Sequence, residues 1–225
     1  MISRQRDVPG ATSAGPLSRR ALDRLPVYLR RLNALAAAGT EYVSSTELAA
    51  AAGASRDLVR KDLSALGQLG RPGKGYPVGV LEAAIEQILG ISTHQPVILV
   101  GAGHLGTALV QYGGFAARGL DVVSVLDADP QRVGQPCGQL TIEDASRAGE
   151  VIERTGARLA ILTVPGEAAQ LAADDLVHHG IRGILNFAPV ELEVPEEVSV
   201  RVVDVSAELQ LLAFHHISGE AGSAR

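Results

Sequence analysis

Sulfur and lysine are scarce in this chain of 225 residues, which holds one cysteine, Cys137, and two lysines, Lys61 and Lys74. A lone cysteine excludes an internal disulfide framework and suits a reducing cytoplasm. No apolar run approaches the roughly 18 residues that a membrane span needs. The opening "MISRQRDVPGATSAGP" lacks the apolar centre of a signal peptide and reads as a flexible tail over 1–16. No repeat of solenoid length occurs. There is also no Tyr-x-x-x-Lys pair and no HExxH, and His215 and His216 have no cysteine partner nearby. Neither metal chemistry nor side-chain proton transfer is indicated, and no catalytic or metal-ligating residue is assigned.

What is present is a globular composition, 46% hydrophobic and 20% charged, in a length that accommodates two modest domains. The net charge of -5 conceals an uneven distribution. Residues 1–80 carry 12 Lys and Arg against 6 Asp and Glu, while residues 81–225 carry 8 against 19. A basic first part points to a polyanionic partner that the acidic remainder does not share.

The basic part has the punctuation of a helical reader. A helix is expected from Pro26, with Leu25, Leu29, Leu32 and Leu35 on one face. "SSTELAAAAG" places Ser44 and Glu47 at capping-box spacing and ends on Gly53. "ASRDLVRKDLSALG" follows as a third helix, capped by Ser55 and closed by Gly67. Helices joined by a tight glycine turn form the helix-turn-helix pattern. The glycine- and proline-rich "QLGRPGKGYPVG" then suits a hairpin, which would make this a winged helix over 17–80. On the third helix Ser55, Arg56, Arg60, Lys61 and Ser64 belong to one polar side, with Leu58, Val59 and Leu66 turned away. Arg71 and Lys74 on the wing, with Tyr76 at its foot, extend that side toward phosphates. A solvated basic face on an ordinary bundle is the plain alternative.

"VLEAAIEQILG" reads as a connecting helix, and from residue 97 the rhythm becomes strand, helix, strand. "VILVG", "LDVVSVLD" (120–127), "ARLAILTVP" (157–165) and "IRGILNFAP" (181–189) are apolar runs of the kind buried on both faces of a parallel sheet. "IEDASRAGEVIERTG" and "GEAAQLAADDLVHHG" read as helices between them, "VRVVDV" as a last strand, and "SAELQLLAFHHIS" as a terminal helix. The expected fold class is α/β, with a doubly wound sheet over 81–205 and a helix and tail over 206–225. Gly101-x-Gly103-x-x-Gly106, with Ala102, His104 and Leu105 between, follows a strand and opens a helix. Gly101 permits the turn, Gly103 admits a pyrophosphate, and Gly106 lets the helix close on the strand. Asp127 ends the next strand, where a carboxylate accepts from ribose hydroxyls and repels a 2′-phosphate, favouring NAD over NADP; Arg132 lies nearby. Binding without turnover is favoured. A small NAD-dependent oxidoreductase with a helical extension, or a CoA- or nucleotide-binding interaction module, competes with it.

Together "RLPVYLRRL", "VSSTELA", "VRKDLSALGQLGRPGKGY", "VGAGHLGTAL", "ILTVP", "GILNFAP" and "VVDVSAELQ" resemble, in one order from about Leu17 to Ser218, the Rex family of bacterial redox-sensing repressors. The resemblance implies a homodimer with an N-terminal winged helix, a Rossmann-type domain and a C-terminal helix swapped onto the partner. It implies binding to inverted-repeat operator DNA and release by NADH, with NADH and NAD+ as regulatory ligands. By the same resemblance Thr163, Val164 and Pro165, and Asn186 and Phe187 of "NFAP", flank the nicotinamide half. Arg24, Tyr112 and Asp204 match the family's inter-domain switch. His104 stands where many relatives carry asparagine, and "SALG" lacks an aromatic often found there.

Overall fold

The computed structural model describes residues 17–91 and 94–222, with side chains as far as Phe214. The expected tail over 1–16 and the side chains of His215 and His216 lie outside the described residues. Two compact units divide the chain between residues 93 and 94. The boundary therefore falls after the connecting helix, not after Val80.

The first unit contains α1 (Arg19–Ala37), β1 (Tyr42–Val43), α2 (Ser45–Ala52), α3 (Arg56–Ser64), β2 (Tyr76–Pro77) and α4 (Val78–Leu89). Ser18 caps α1 by accepting from the Ala21 amide, so Pro26 lies inside this helix and not in its first turn. The capping box of α2 forms as its spacing predicts, and Gly53 ends the helix in the left-handed conformation. Leu25, Leu29, Leu32 and Leu35 are buried on α1 against Leu48, Val59, Leu63, Leu81 and Ile85. Val78, Leu81 and Ile85 belong to this core, which is why α4 joins the first unit instead of merely linking two. The third helix stops at Ser64, three residues short of the expected glycine, and Leu58 is exposed where an inward side was expected. The wing is a tight turn at 71–75 whose returning strand β2 pairs antiparallel with β1, a strand that short sequence patterns did not announce.

The second unit holds β3 (Gln95–Val100), α5 (His104–Val110), β4 (Leu120–Asp127), β5 (Pro136–Cys137), β6 (Leu140–Asp144), α6 (Ala148–Thr155), β7 (Leu159–Leu162), α7 (Gly166–His178), β8 (Gly183–Asn186), β9 (Ser199–Val202) and α8 (Val205–Gly222). Its sheet runs β5-β6-β4-β3-β7-β8-β9, parallel except for β5. Leaving β5 aside, this is the 3-2-1-4-5-6 order of doubly wound dinucleotide-binding sheets. Residues 140–144 form β6, so the helix expected over the whole of "IEDASRAGEVIERTG" begins only at Ala148. Pairing of Val125, Leu126 and Asp127 with Ile142, Glu143 and Asp144 outweighs the local helical preference there. One face buries Ile98, Val100, Leu126 and Leu162 under α6 and α7; the other buries Val97, Leu99, Val125 and Cys137. Cys137 thus serves as a small core hydrophobe.

Candidate functional site

In the first unit, α3 divides cleanly into two sides. Val59, Asp62 and Leu63 are buried, while Arg56, Asp57, Arg60, Lys61 and Ser64 are exposed. Ser55 accepts from the Leu58 amide and so caps the helix, and the Ser64 hydroxyl donates to the Lys61 carbonyl. These two hydroxyls shape the helix ends, and the outward cations are Arg56, Arg60 and Lys61. Asp57 lies 3.9 Å from Arg56 and 3.8 Å from Arg60, a loose exposed tether that screening weakens further.

The wing is built on Tyr42, which sequence reasoning passed over. Arg71 donates to its hydroxyl at 2.8 Å, and the Arg71 and Lys74 cations each sit 5.7 Å from its ring centroid. Gly75 has φ +95, and a Cβ there would strike the Val43 carbonyl oxygen, so a glycine is required where the turn rejoins β1. Tyr76 packs partly into the helical core, a support for the wing instead of its tip. A concave face of about 470 Å³ between wing and helices is lined by Ser45, Thr46, Arg56, Arg60, Arg71 and Lys74. The start of α2 was also missed, because the capping box explains those residues without any ligand.

Behind this surface lies a buried clamp. Arg24 donates to both oxygens of Asp62, from Nε at 2.7 Å and Nη2 at 2.8 Å, and the Tyr28 hydroxyl donates to the same carboxylate at 2.8 Å. The carboxylate holds the Arg24 guanidinium above its ordinary value. Burial, then the bond to Asp62, push the Tyr28 phenol up to about 12. Arg24, matched to a switch by resemblance, is therefore engaged inside its own unit with a residue of α3.

In the second unit the glycine turn sits between β3 and β7, where the strand order reverses and open α/β sheets bind ligands. Gly101 has φ +101, and a Cβ on it would lie 2.7 Å from the Thr163 carbonyl oxygen. A Cβ on Gly106 would overlap the Gly101 oxygen, whereas one on Gly103 would meet nothing within 4 Å. Two glycines are thus needed by the fold, and the third leaves an open approach to the backbone at the start of α5. Such an opening fits a diphosphate, whose charge is favoured at a helix start.

The surrounding side chains hold this turn in place. The Thr163 hydroxyl donates to the carbonyls of Gly101 at 2.7 Å and Val100 at 3.1 Å. Asp127 accepts from the Ala102 amide at 2.7 Å and the Asp129 amide at 2.9 Å. Arg132 donates to the Ala102 carbonyl and stands 3.4 Å from Asp129. Val164 packs toward the core and Pro165 caps α7, while His104 and Leu105 are exposed on the first turn of α5. Asn186 is wholly buried; its amide donates to the Val190 carbonyl and accepts from the Ala188 amide. It shapes the loop, and Phe187 beside it lines a cleft of about 540 Å³ with Leu105, Pro189, Val202, Asp204 and Val205. Asp204 accepts from the Ser206 and Ala207 amides at the start of α8, and Tyr112 is exposed with its ring edge-on to Phe115.

A basic winged helix joined to a dinucleotide-type sheet defines a ligand-responsive DNA-binding class of protein. Residues 17–64 match the family described as "Putative DNA-binding protein N-terminus", and residues 92–190 match the "CoA binding domain" family. The redox-sensing transcriptional repressor Rex of Streptomyces coelicolor is 45% identical over 95% of this chain and 79% of its own length. That of Chloroflexus aurantiacus is 44% identical over 85% of this chain and 91% of its own. RSP, a Rex-family repressor solved in complex with β-NAD+ and operator DNA, aligns with a TM-score of 0.84 at 31% identity, covering 93% of this chain and 96% of RSP. Its complex with β-NADH gives 0.82 at 30% identity, over 92% and 97%. The chain belongs to the Rex family of redox-sensing transcriptional repressors.

Proposed function

We propose that this chain is a repressor that binds inverted-repeat operator DNA as a homodimer and leaves it when NADH binds, so that it reports the NADH/NAD+ ratio of the cytoplasm. The observation that carries this reading is the pairing, in one chain, of an outward basic helix and wing with a glycine turn open only at its middle glycine. RSP, which the chain matches over nearly its whole length, has been solved both with β-NADH and with β-NAD+ plus operator DNA.

Arg56, Arg60, Lys61, Arg71 and Lys74 meet the DNA, with Ser55, Ser64, Tyr42 and Tyr76 holding their elements in shape. The backbone of Gly101 to Gly106 receives the pyrophosphate and Asp127 the adenosine ribose. Thr163 and Asn186 act through the backbone they brace, and Phe187 borders the nicotinamide half. Arg24, Tyr112 and Asp204 relay between ligand and DNA. The ligand supplies a redox-dependent shape and charge and is not consumed, so the protein is not an enzyme. Along α8, Val205, Leu209, Leu211, Leu212 and Phe214 are more than half exposed, an apolar surface that a second copy would cover.

The match to a CoA-binding family favours one second reading, in which the turn takes a different adenosine diphosphate. A single titration separates them. NADH, NAD+, NADPH and CoA are each added to the protein on a labelled inverted-repeat duplex while anisotropy and NADH absorbance are followed. The expected result is release by NADH with no loss of NADH absorbance. Operator affinity indifferent to saturating NADH would overturn the reading, and release by CoA alone would install the second.

A further inference from the structure

Resting on the reading above, we propose that Tyr42 is the positioning residue of the wing. It holds Arg71 and Lys74, before DNA arrives, as an ordered pair of cations for backbone phosphates. Residues 71–74 form a tight turn with Pro72 second and Gly73, at φ +73, third. The Lys74 amide closes it by donating to the Arg71 carbonyl at 3.1 Å, so the two cationic residues stand at its two ends, side by side. Both side chains then settle on one ring. Each cation lies 5.7 Å from the Tyr42 centroid, within reach of the attraction between a cation and an aromatic face. Arg71 also donates to the Tyr42 hydroxyl at 2.8 Å.

Two like charges gathered at a neutral ring repel each other, and no carboxylate among the described residues pairs with either of them. The concave face that they share with Arg56 and Arg60 has no acidic residue in its lining. A polyanion completes such an arrangement. The ring neither neutralises the cations nor hides them, since both residues remain exposed. What it removes is freedom. A long side chain moving in solvent must be immobilised when it grips a phosphate, whereas these two are ordered beforehand. Tyr42 can act in this way because its own strand is fixed. It pairs with Pro77 across β1 and β2, and its neighbour Val43 is buried in the helical core. The ring therefore stands on the strand to which the wing returns.

The test is a mutant cycle read by anisotropy on a labelled inverted-repeat duplex without NADH. Tyr42→Leu removes ring and hydroxyl, and operator affinity should fall about tenfold, as expected when two long side chains must be ordered on binding. Tyr42→Phe keeps the ring and removes only the acceptor for Arg71, and should lose about threefold. In an Arg71→Ala, Lys74→Ala background the same two substitutions should each lose less than about twofold, because the side chains that Tyr42 orders are gone. A Tyr42→Leu loss equally large in both backgrounds marks a residue that merely holds the strand pair together, and overturns the proposal. Binding by Tyr42→Phe as tight as wild type, or tighter, also overturns it, because Arg71 would then have no use for the hydroxyl or would have to leave it to reach DNA. If Tyr42→Leu loses its helical circular dichroism, Tyr42→Phe in the two backgrounds decides by the same comparison. Wild type failing to bind the duplex would instead sink the repressor reading, and this inference with it.

Discussion

On the proposed reading, the two units recognise their ligands by opposite means. The winged helix offers side chains: Arg56, Arg60, Lys61, Arg71 and Lys74 stand exposed, the first three on a helix that is seated by other residues, the last two packed on Tyr42. The sheet offers backbone, and its contribution lies in side chains that are missing. Gly103 leaves room, while Thr163, Asp127 and Arg132 hold the turn around it. A surface of projecting charges degrades gradually as charges are removed. A backbone cradle responds abruptly, because one added methyl group either closes it or breaks its frame.

Glycine substitutions put this contrast to its hardest test. Gly106→Ala forces a Cβ onto the Gly101 oxygen, so the second unit should lose on the order of 3 kcal/mol of stability, read as a lowered Tm, with dinucleotide affinity falling alongside. Gly103→Val should leave Tm near wild type yet weaken NADH by about a hundredfold, ~2.7 kcal/mol, yielding a repressor that NADH does not release. If both substitutions behaved alike, the division between framing and open glycines would be wrong.

Charge removal should look different. Arg60→Ala or Lys61→Ala should weaken the operator by about tenfold and lower the slope of log affinity against log salt by roughly 0.9 for each phosphate no longer neutralised. NADH binding should be unaffected; full operator affinity in both variants would remove α3 from the interface. Asp127→Ala sits between the two modes, since its carboxylate organises the turn as well as receiving the ribose in the proposed reading. NADH should weaken and the preference over NADPH narrow, which competitive titration measures.

The smallest effect separates the units by pH. Tyr28, raised from 10.0 to about 12, stabilises the first unit fully below pH 10 and loses that contribution as pH rises through about 12. Glu143 of the second unit is lowered by its bond from Arg154, so its contribution is complete above its ordinary 4.5 and lost as pH falls below that value. Circular dichroism and tyrosinate absorbance at the two extremes should show the helical unit yielding on the alkaline side as Tyr28 ionises.

Local grammar was readable. The capping box at Ser44 and Glu47, the αL glycine at 53 and the strand-glycine-helix passage at 97–110 all follow from interactions between residues a few positions apart. Long-range pairing was not. Strands β1 and β2 have two residues each and exist only by pairing across more than thirty positions, and β6 was hidden inside a helical composition. Asp62 carries no local signal, because its partners Arg24 and Tyr28 lie 38 and 34 residues away. Asn186 looked like a ligand group, yet burial commits its amide to the backbone.

Pro26 sits in α1 between the two residues that grip Asp62. Lacking an N–H, it cannot complete the rung to the Leu22 carbonyl, so the ladder is interrupted where Arg24 and Tyr28 are joined. In mechanical terms, α1 is a beam with a built-in compliant joint. The joint lies between Arg24, near the solvent, and Tyr28, which at zero exposure is anchored in the core.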